Sequence, residues 1–378
     1  PVVRIKKEAD GEWNFRHIFP QGPAGPARRD RGFGDFIVIA DAAVHDAAFT
    51  LVMPWAPDAR LRGARRDSAI AHNLARTDNE IRREGAGFMR SWRWRRGEIR
   101  SNYVRLADPD SAGRLFALTA LAVAGADPPI TVRNVRGAVR QLGDSIWLEI
   151  PHFDLPGSTG RAAGKIVWGS DLPVRYDVHV VGDSVSMRDV AWVYPTMPRT
   201  GGGRMDLDIR NQPGHLHVID YAITKMDVRT TGSRLLGRMT YGVGGPVLEL
   251  KDVDVEAAPV DFALIRALNG KPFPYPWAGR ISGMLHARGG PLDRFVLDES
   301  RFTFHDANVP GAITTGSASG GLDILSPALT AFHGLDVRLD RLDLRTLQFL
   351  NPAFPRVNGV VSGTATLDSS WLDVRFRD

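Results

Sequence analysis

The chain has 378 residues, 43% of them hydrophobic, with a formal charge of +5 and no cysteine. This is ordinary globular composition, with apolar surface enough for a core and no route to disulfide staples or thiolate metal sites. Its 39 glycines and 25 prolines are spread along the chain, which suits many short strands joined by turns better than long helices.

The chain begins at Pro1 in a strand-like pattern, with no charged n-region, apolar h-region or cleavage site. The expectation is an internal segment whose membrane anchor lies upstream. Residues 59–105 follow with thirteen arginines against five acids, a net of +8. A block of this kind can meet phosphate groups of lipid or nucleic acid, or stand as a solvated insertion. Within it, Ile70, Leu74 and Ile81 fall at helical spacing, Asp67 and Ser68 can cap, and Gly85 can stop the helix, so residues 65–84 are expected to be helical. Phe88 to Ile99, with Trp92 and Trp94 alternating with Arg93 and Arg95, reads as a strand. The longest apolar stretch, Leu115 to Ala126, is too short to span a bilayer as a helix.

Beyond it, alternation dominates. Val174, Tyr176, Val178 and Val180 alternate with Arg175, Asp177 and His179, and Met205, Leu207 and Ile209 alternate with Asp206 and Asp208. Phe302 and Phe304, then Leu335, Val337 and Leu339, then Leu372, Val374 and Phe376, repeat the pattern. Period two places the apolar side chains of a strand on one face, as in an antiparallel sheet with one dry and one wet side.

Three segments share a further arrangement. Val185 to Pro198, Val260 to Pro274 and Leu342 to Pro355 each run from an apolar turn or short helix through prolines to a glycine-led strand, at Gly201, Gly279 and Gly359. Glycines at Gly164, Gly237 and Gly320 close loosely matching stretches before them. Such periodicity means stacked supersecondary units that bury apolar faces against their neighbours. The chain therefore divides into an N-terminal β region (1–57), a basic insertion with a short helix then a strand (58–105), and a repeating array (106–378) with units near 130–210, 211–288 and 289–370. The fold class expected from this pattern is mostly β: an elongated antiparallel repeat sheet with one or two short helices.

No catalytic set assembles, and no metal or cofactor site is expected. His215 and His217 share a strand face, but only Asp220 follows nearby, and zinc needs three or four ligands. Gly160 to Lys165 has the first glycine of a phosphate loop misplaced, and Ile166 stands where Ser or Thr should bind magnesium. Gly201 to Gly203 and Gly242 to Gly245 lack a dinucleotide-binding context and read as turns. Arg90 to Arg96 interleaves basic and aromatic residues as a nucleic-acid platform would. The basic character ends near Arg105, so nucleic acid is the weaker partner.

The opening from Val2 to Phe19, with Gly11, Glu12, Trp13 and Asn14 as a G-x-W-N element, resembles the beginning of the AsmA domain. Phe36 to Leu51 looks like that family's next pair of strands, and Gly279 to Leu285 and Gly359 to Gly363 are similar to AsmA-like and TamB-like arrays. The resemblance omits residues 59–105. It implies a bent β-groove with an apolar concave face, located in the periplasm and anchored in the inner membrane through a segment not in this chain. It further implies phospholipid transfer supporting outer-membrane lipid homeostasis or assembly, with outer-membrane assembly proteins as further partners. Candidate groove-lining residues are Leu148, Ile150, Tyr176, Val178, Val180, Leu207, Ile209, Phe302, Phe304, Val337, Leu339, Val374 and Phe376. Candidate headgroup contacts are Arg90, Arg93, Arg95 and Arg96. The alternatives are a structural or adhesive β-solenoid filled by its own side chains, and a nucleic-acid binder acting through residues 59–105.

Overall fold

The computed structural model describes residues 1–8, 14, 36–57, 61–75, 80–108, 113–125, 129–168, 174–193, 197–244, 249–269, 278–291, 294–323, 331–347, 354–370 and 375–377. It forms two compact units, Pro1–Val174 and Arg175–Asp378. Both are mostly β and almost wholly antiparallel, as the alternation predicts. Among the described residues no helix is long and apolar enough to cross a membrane.

The first unit holds β1 (Val2–Lys6), β2 (Ile37–Ile39), β3 (Ala42–Trp55), α1 (Gly63–Ala75), β4 (Glu80–Glu84), β5 (Gly87–Ala107), β6 (Arg114–Gly125), β7 (Thr131–Leu142), β8 (Ser145–Asp154) and β9 (Thr159–Val167). Its axis is β5, which at 21 residues is long enough to pair with β2 and β3 along one side and with β4 and β6 along the other. The basic stretch therefore does not stand apart from the sheet. β1 runs parallel to β3, and Asn14 clips its outer edge: the Lys6 N–H donates to Asn14 Oδ1 at 2.9 Å, and Asn14 Nδ2 donates to the Arg4 carbonyl at 3.0 Å. Of the G-x-W-N element, Gly11, Glu12 and Trp13 lie outside the described residues.

The helix expected over residues 65–84 is corrected at both ends. It spans Gly63–Ala75, so Asp67 and Ser68 lie inside it rather than capping it, and Glu80–Glu84 is a strand. Ile81 opposes Arg90 of β5 and is 4% exposed. The cross-strand pairing of a five-residue segment buries it better than another helical turn would. Gly85, with φ 57, turns the chain from β4 into β5.

The second unit holds β10 (Arg175–Ser186), α2 (Met187–Val193), β11 (Gly202–Gln212), β12 (His215–Thr230), β13 (Ser233–Val243), β14 (Glu249–Asp261), α3 (Phe262–Asn269), β15 (Gly279–Pro291), β16 (Phe295–Asp306), β17 (Ile313–Asp323), β18 (Ala331–Asp343), a 3₁₀ turn (Leu344–Thr346), β19 (Val360–Ser370) and β20 (Arg375–Arg377). Each strand pairs antiparallel with the next. Among the described residues β10 and β20 do not pair with each other. The α-helices described number three rather than one or two, because two of the helical connectors recurring along the array, α2 and α3, join α1.

The repeat is physical. Helical turns begin at Met187, Phe262 and Leu344, spacings of 75 and 82 residues (187 to 262, 262 to 344). Each is capped by the last residue of the strand before it: Ser186 Oγ accepts from the Arg188 N–H at 3.3 Å, Asp261 Oδ1 from Ala263 at 2.8 Å, and Asp343 Oδ1 from Arg345 at 3.1 Å. Side-chain oxygens at this position satisfy N–H groups that the first helical turn leaves unpaired. The chain then returns through Gly201, Gly279 and Gly359, with φ 93, 142 and 131, conformations that side chains resist. In two units the first helical N–H donates to that glycine's carbonyl: Met187 to Gly201 at 3.1 Å and Leu344 to Gly359 at 3.0 Å. Four strands and one capped turn make the repeating unit.

Two carboxylates near this margin respond to pH with opposite sign. The Arg345 guanidinium, 2.7 Å from Asp343, holds that carboxyl below its usual range against the opposing effect of burial. Its contribution is therefore complete above the unfolded value near ~4 and lost as pH falls through the lower folded value. Asp343→Ala is expected to cost about 1–2 kcal/mol at pH 7. In urea unfolding the gap from wild type should narrow in acid. Burial instead pushes the Asp306 carboxyl up, so the fold disfavours its ionised form. Asp306→Asn, which keeps an acceptor for the Asn308 N–H at 2.7 Å, is expected to stabilise at pH 7 and to lose that gain below pH ~4.

Candidate functional site

Antiparallel partners lie on the same face of a sheet, so register shows which side chains share a surface. In the second unit Val180 opposes Leu207, Leu207 opposes Ile223, and Ile223 opposes Met239. A neighbouring row runs Val178, Ile209, Tyr221, Tyr241 and Leu250. A third runs Met205, Met226, Gly237, Val255 and Leu285. A fourth runs Ala257, Gly283, Phe302, Gly316, Leu339 and Gly363. These rows place one apolar surface across β10 to β19. Small and large residues alternate across it, so Phe302 lies between two glycines.

At its centre Val253, Val255, Ala287 and Phe295 are buried, with Met226, Leu235, Met239, Leu250 and Leu297 packed against them. Val178, Phe332 and Leu335 of the same face are buried as well, while Leu285, Val243 and Val361 are 39%, 44% and 43% exposed. At its margin Phe262 of α3 meets Phe304 edge to face at 5.3 Å.

The other face is ionic. Arg210 pairs with Asp177 at 2.9 Å, His179 with Asp208 at 2.6 Å, Arg234 with Asp227 at 2.8 Å, and Lys251 with Asp220 at 2.9 Å. Arg238 and His286 both reach Asp254, at 3.6 and 3.2 Å. Exposed pairs contribute little singly. Together they keep this face wetted and oppose a one-residue slip in register.

Tyrosines mark one end of the apolar face. Tyr221 and Tyr241 stack with centroids 5.1 Å apart and planes at 10°. Tyr176 belongs to the same patch, and its N–H donates to Asn211 Oδ1 at 2.6 Å. Burial, with Tyr221 as a neighbour, pushes the Tyr176 and Tyr241 phenols up.

In the first unit a corresponding face joins Trp55 with Phe88, Leu51 with Trp92 and Phe49 with Trp94, and further on Val104, Phe116, Val139 and Leu148. Trp94 lies 5.2 Å from Phe49 and Trp55 lies 5.8 Å from Phe88. On the reverse face Trp147 has the Arg140 guanidinium at 4.8 Å and the Lys165 ammonium at 4.7 Å over its ring.

The expected lining residues thus fall as follows. Leu148 and Ile150 are on β8 with the first apolar face. Tyr176, Val178, Val180, Leu207, Ile209, Phe302, Phe304, Val337 and Leu339 share the second. Phe376 is opposite Leu367 in β20, and Val374 lies outside the described residues. The four arginines are not brought together. Arg90 shares the Trp92 face, 4.8 Å from that ring, while Arg93 points to the other side and pairs with Glu80 at 2.6 Å. Arg95 is also on the side of Arg93, and Arg96 occupies a bulge with φ 54. His215 and His217 have rings 6.2 Å apart, and among the described residues no group of three metal-binding side chains forms. Lys165 lies in strand β9, not in a phosphate-binding turn.

Sequence reasoning missed Tyr221, Ile223, Met239, Tyr241, Leu250, Val253, Val255 and Phe295. Strands β12, β14 and β16 carry bulges that reverse parity; at Asp252, with φ 47, Leu250 and Val253 come to the same side. Comparison with protein-family models, curated proteins and solved structures gives no match.

Proposed function

We propose that the chain is a non-catalytic lipid-binding and lipid-transfer segment, of the AsmA/TamB kind that its sequence resembles. In that reading it acts in the periplasm, anchored through a segment outside this chain, and supports outer-membrane lipid homeostasis or assembly. The observation carrying the proposal is the apolar surface running through ten successive strands of the second unit, backed by an ionic face. A sheet face of this kind needs a cover. Among the described residues the helical cover is short: α3 reaches the margin through Phe262, and α2 buries Met187 and Ala191. A filled solenoid needs a second apolar layer there.

Acyl chains suit the surface. One leaflet is roughly 15 Å of hydrocarbon, the length of about five strand residues at ~3.3 Å each. Each buried methylene contributes about 0.8 kcal/mol without directional bonds, so a chain can slide from row to row. Arg90, on the apolar face of the first unit, is the headgroup contact in this reading.

Native mass spectrometry and organic extraction of the purified protein test it. Phospholipid retained through gel filtration is the expected result. Protein that emerges free of lipid, and takes up none from vesicles, would overturn the proposal.

A further inference from the structure

Three of the six tyrosines converge on one patch of the apolar face. Tyr176 lies two residues from Val178 on β10, Tyr221 opposes Ile209 on β12, and Tyr241 opposes Tyr221 on β13. A tyrosine carries an apolar ring and a polar tip, and a phenol on an apolar surface ordinarily finds a hydrogen-bond partner. Among the described residues no side chain or backbone group is bonded to any of these three hydroxyls. The Asn211 amide accepts from the Tyr176 N–H at 2.6 Å and donates to the Leu216 carbonyl at 2.6 Å. The row neighbours Val178, Ile209, Met239 and Leu250 are uncharged, and the cation Lys251 is held on the opposite face by Asp220 and Glu249. Burial favours the neutral phenol at Tyr176 and Tyr241, so both remain donors at neutral pH.

Donors without a cation complement a neutral acceptor better than a phosphate, which selects charged partners such as Arg. We propose that Tyr176, Tyr221 and Tyr241 form a polar station on the apolar face that hydrogen-bonds the ester carbonyl oxygens of an acyl-glycerol lipid. The inference rests on the acyl-binding reading and adds to it. Hydrocarbon slides over the rows without preferred positions, whereas the junction between chain and headgroup halts where phenols meet its carbonyls. Position along the sheet is then set by the lipid's ester linkage.

The test uses two lipids with the same chains and the same choline headgroup, one ester-linked (dioleoyl phosphatidylcholine) and one ether-linked. The whole protein is incubated with vesicles holding equal amounts of both, repurified, and its bound lipid quantified by mass spectrometry. Wild type is expected to retain the ester form in about tenfold excess, the worth of one or two net hydrogen bonds. The triple variant Tyr176→Phe, Tyr221→Phe and Tyr241→Phe keeps the rings and their stacking. It is expected to bring the ester-to-ether ratio near unity through loss of the ester form. Equal retention of both lipids by wild type, or a preference that survives in the triple variant, would overturn the station and leave acyl binding standing. Wild type that retains neither lipid would overturn both. Single Tyr→Phe variants provide the same readout should the triple variant fail to fold.

Discussion

Ile223→Asp is expected to strip bound phospholipid from the protein by more than about tenfold. Ile223 lies between Leu207 and Met239 in the row that begins at Val180, so its side chain contributes to the floor of the apolar face. A carboxylate there either keeps its water, which breaks the dry path, or is covered by hydrocarbon, which costs several kcal/mol. The matched control is Asp208→Asn, one strand away on the ionic face, where the carboxylate pairs with His179 at 2.6 Å. That change is expected to leave lipid retention unaltered, because a single exposed pair contributes under about 1 kcal/mol. Extracted lipid per mole of protein, with circular dichroism to verify that both variants fold, makes the comparison. Equal loss in the two variants would show that the faces are not distinguished.

The largest loss of stability is expected at Phe295. Its ring is 2% exposed and packs with Val253, Val255 and Ala287 at the centre of the apolar face. Phe295→Ala removes the ring and leaves a cavity that backbones held by ladders on both sides cannot collapse to fill, at a cost of about 3–5 kcal/mol. Phe354, at 39% exposure, is the contrast; Phe354→Ala is expected to fall within about 0.5 kcal/mol of wild type in urea unfolding. The difference locates the core on the sheet itself, not between two layers.

Much of this was legible in the residues. Period two at Tyr176 to Val180, at Met205 to Ile209 and at Phe302 to Phe304 assigns strands and faces correctly, because the one register shift among them, between Asp206 and Leu207, has its extra residue on the partner strand β12. The repeat was also legible. Gly201, Gly279 and Gly359 stand out as glycines, and the left-handed φ at each gives the physical reason for their recurrence. The caps at Ser186, Asp261 and Asp343 share one offset from those turns, but a serine among aspartates hides the equivalence.

Strand parity was not legible wherever a bulge intervenes. Asp46, Arg96 and Asp252 take φ 48, 54 and 47, unusual for side-chain-bearing residues, and nothing in their identity announces it. Fixed alternation applied through Asp252 sends Leu250 or Val253 to the wrong face, and applied through the irregularity between Leu297 and Ser300 it does the same to Phe295. The W-R-W-R run misled in another way. Read as one basic aromatic platform, it is divided by β5 into a tryptophan side and an arginine side, since alternation separates neighbours. Ile81 matched a helical stripe by spacing alone and is claimed by the hairpin with β5.

Site-specific photocrosslinking tests the central claim most directly. Benzoylphenylalanine placed at Leu207, Tyr221, Phe302 or Leu339, in cells fed radiolabelled phosphate, should form labelled phospholipid adducts on irradiation. The same probe at Asp208, Thr303 or Arg338, each adjacent in sequence to a residue of the apolar face, should form none. Adducts at both sets alike, or at neither, would contradict a lipid path along one side of the sheet.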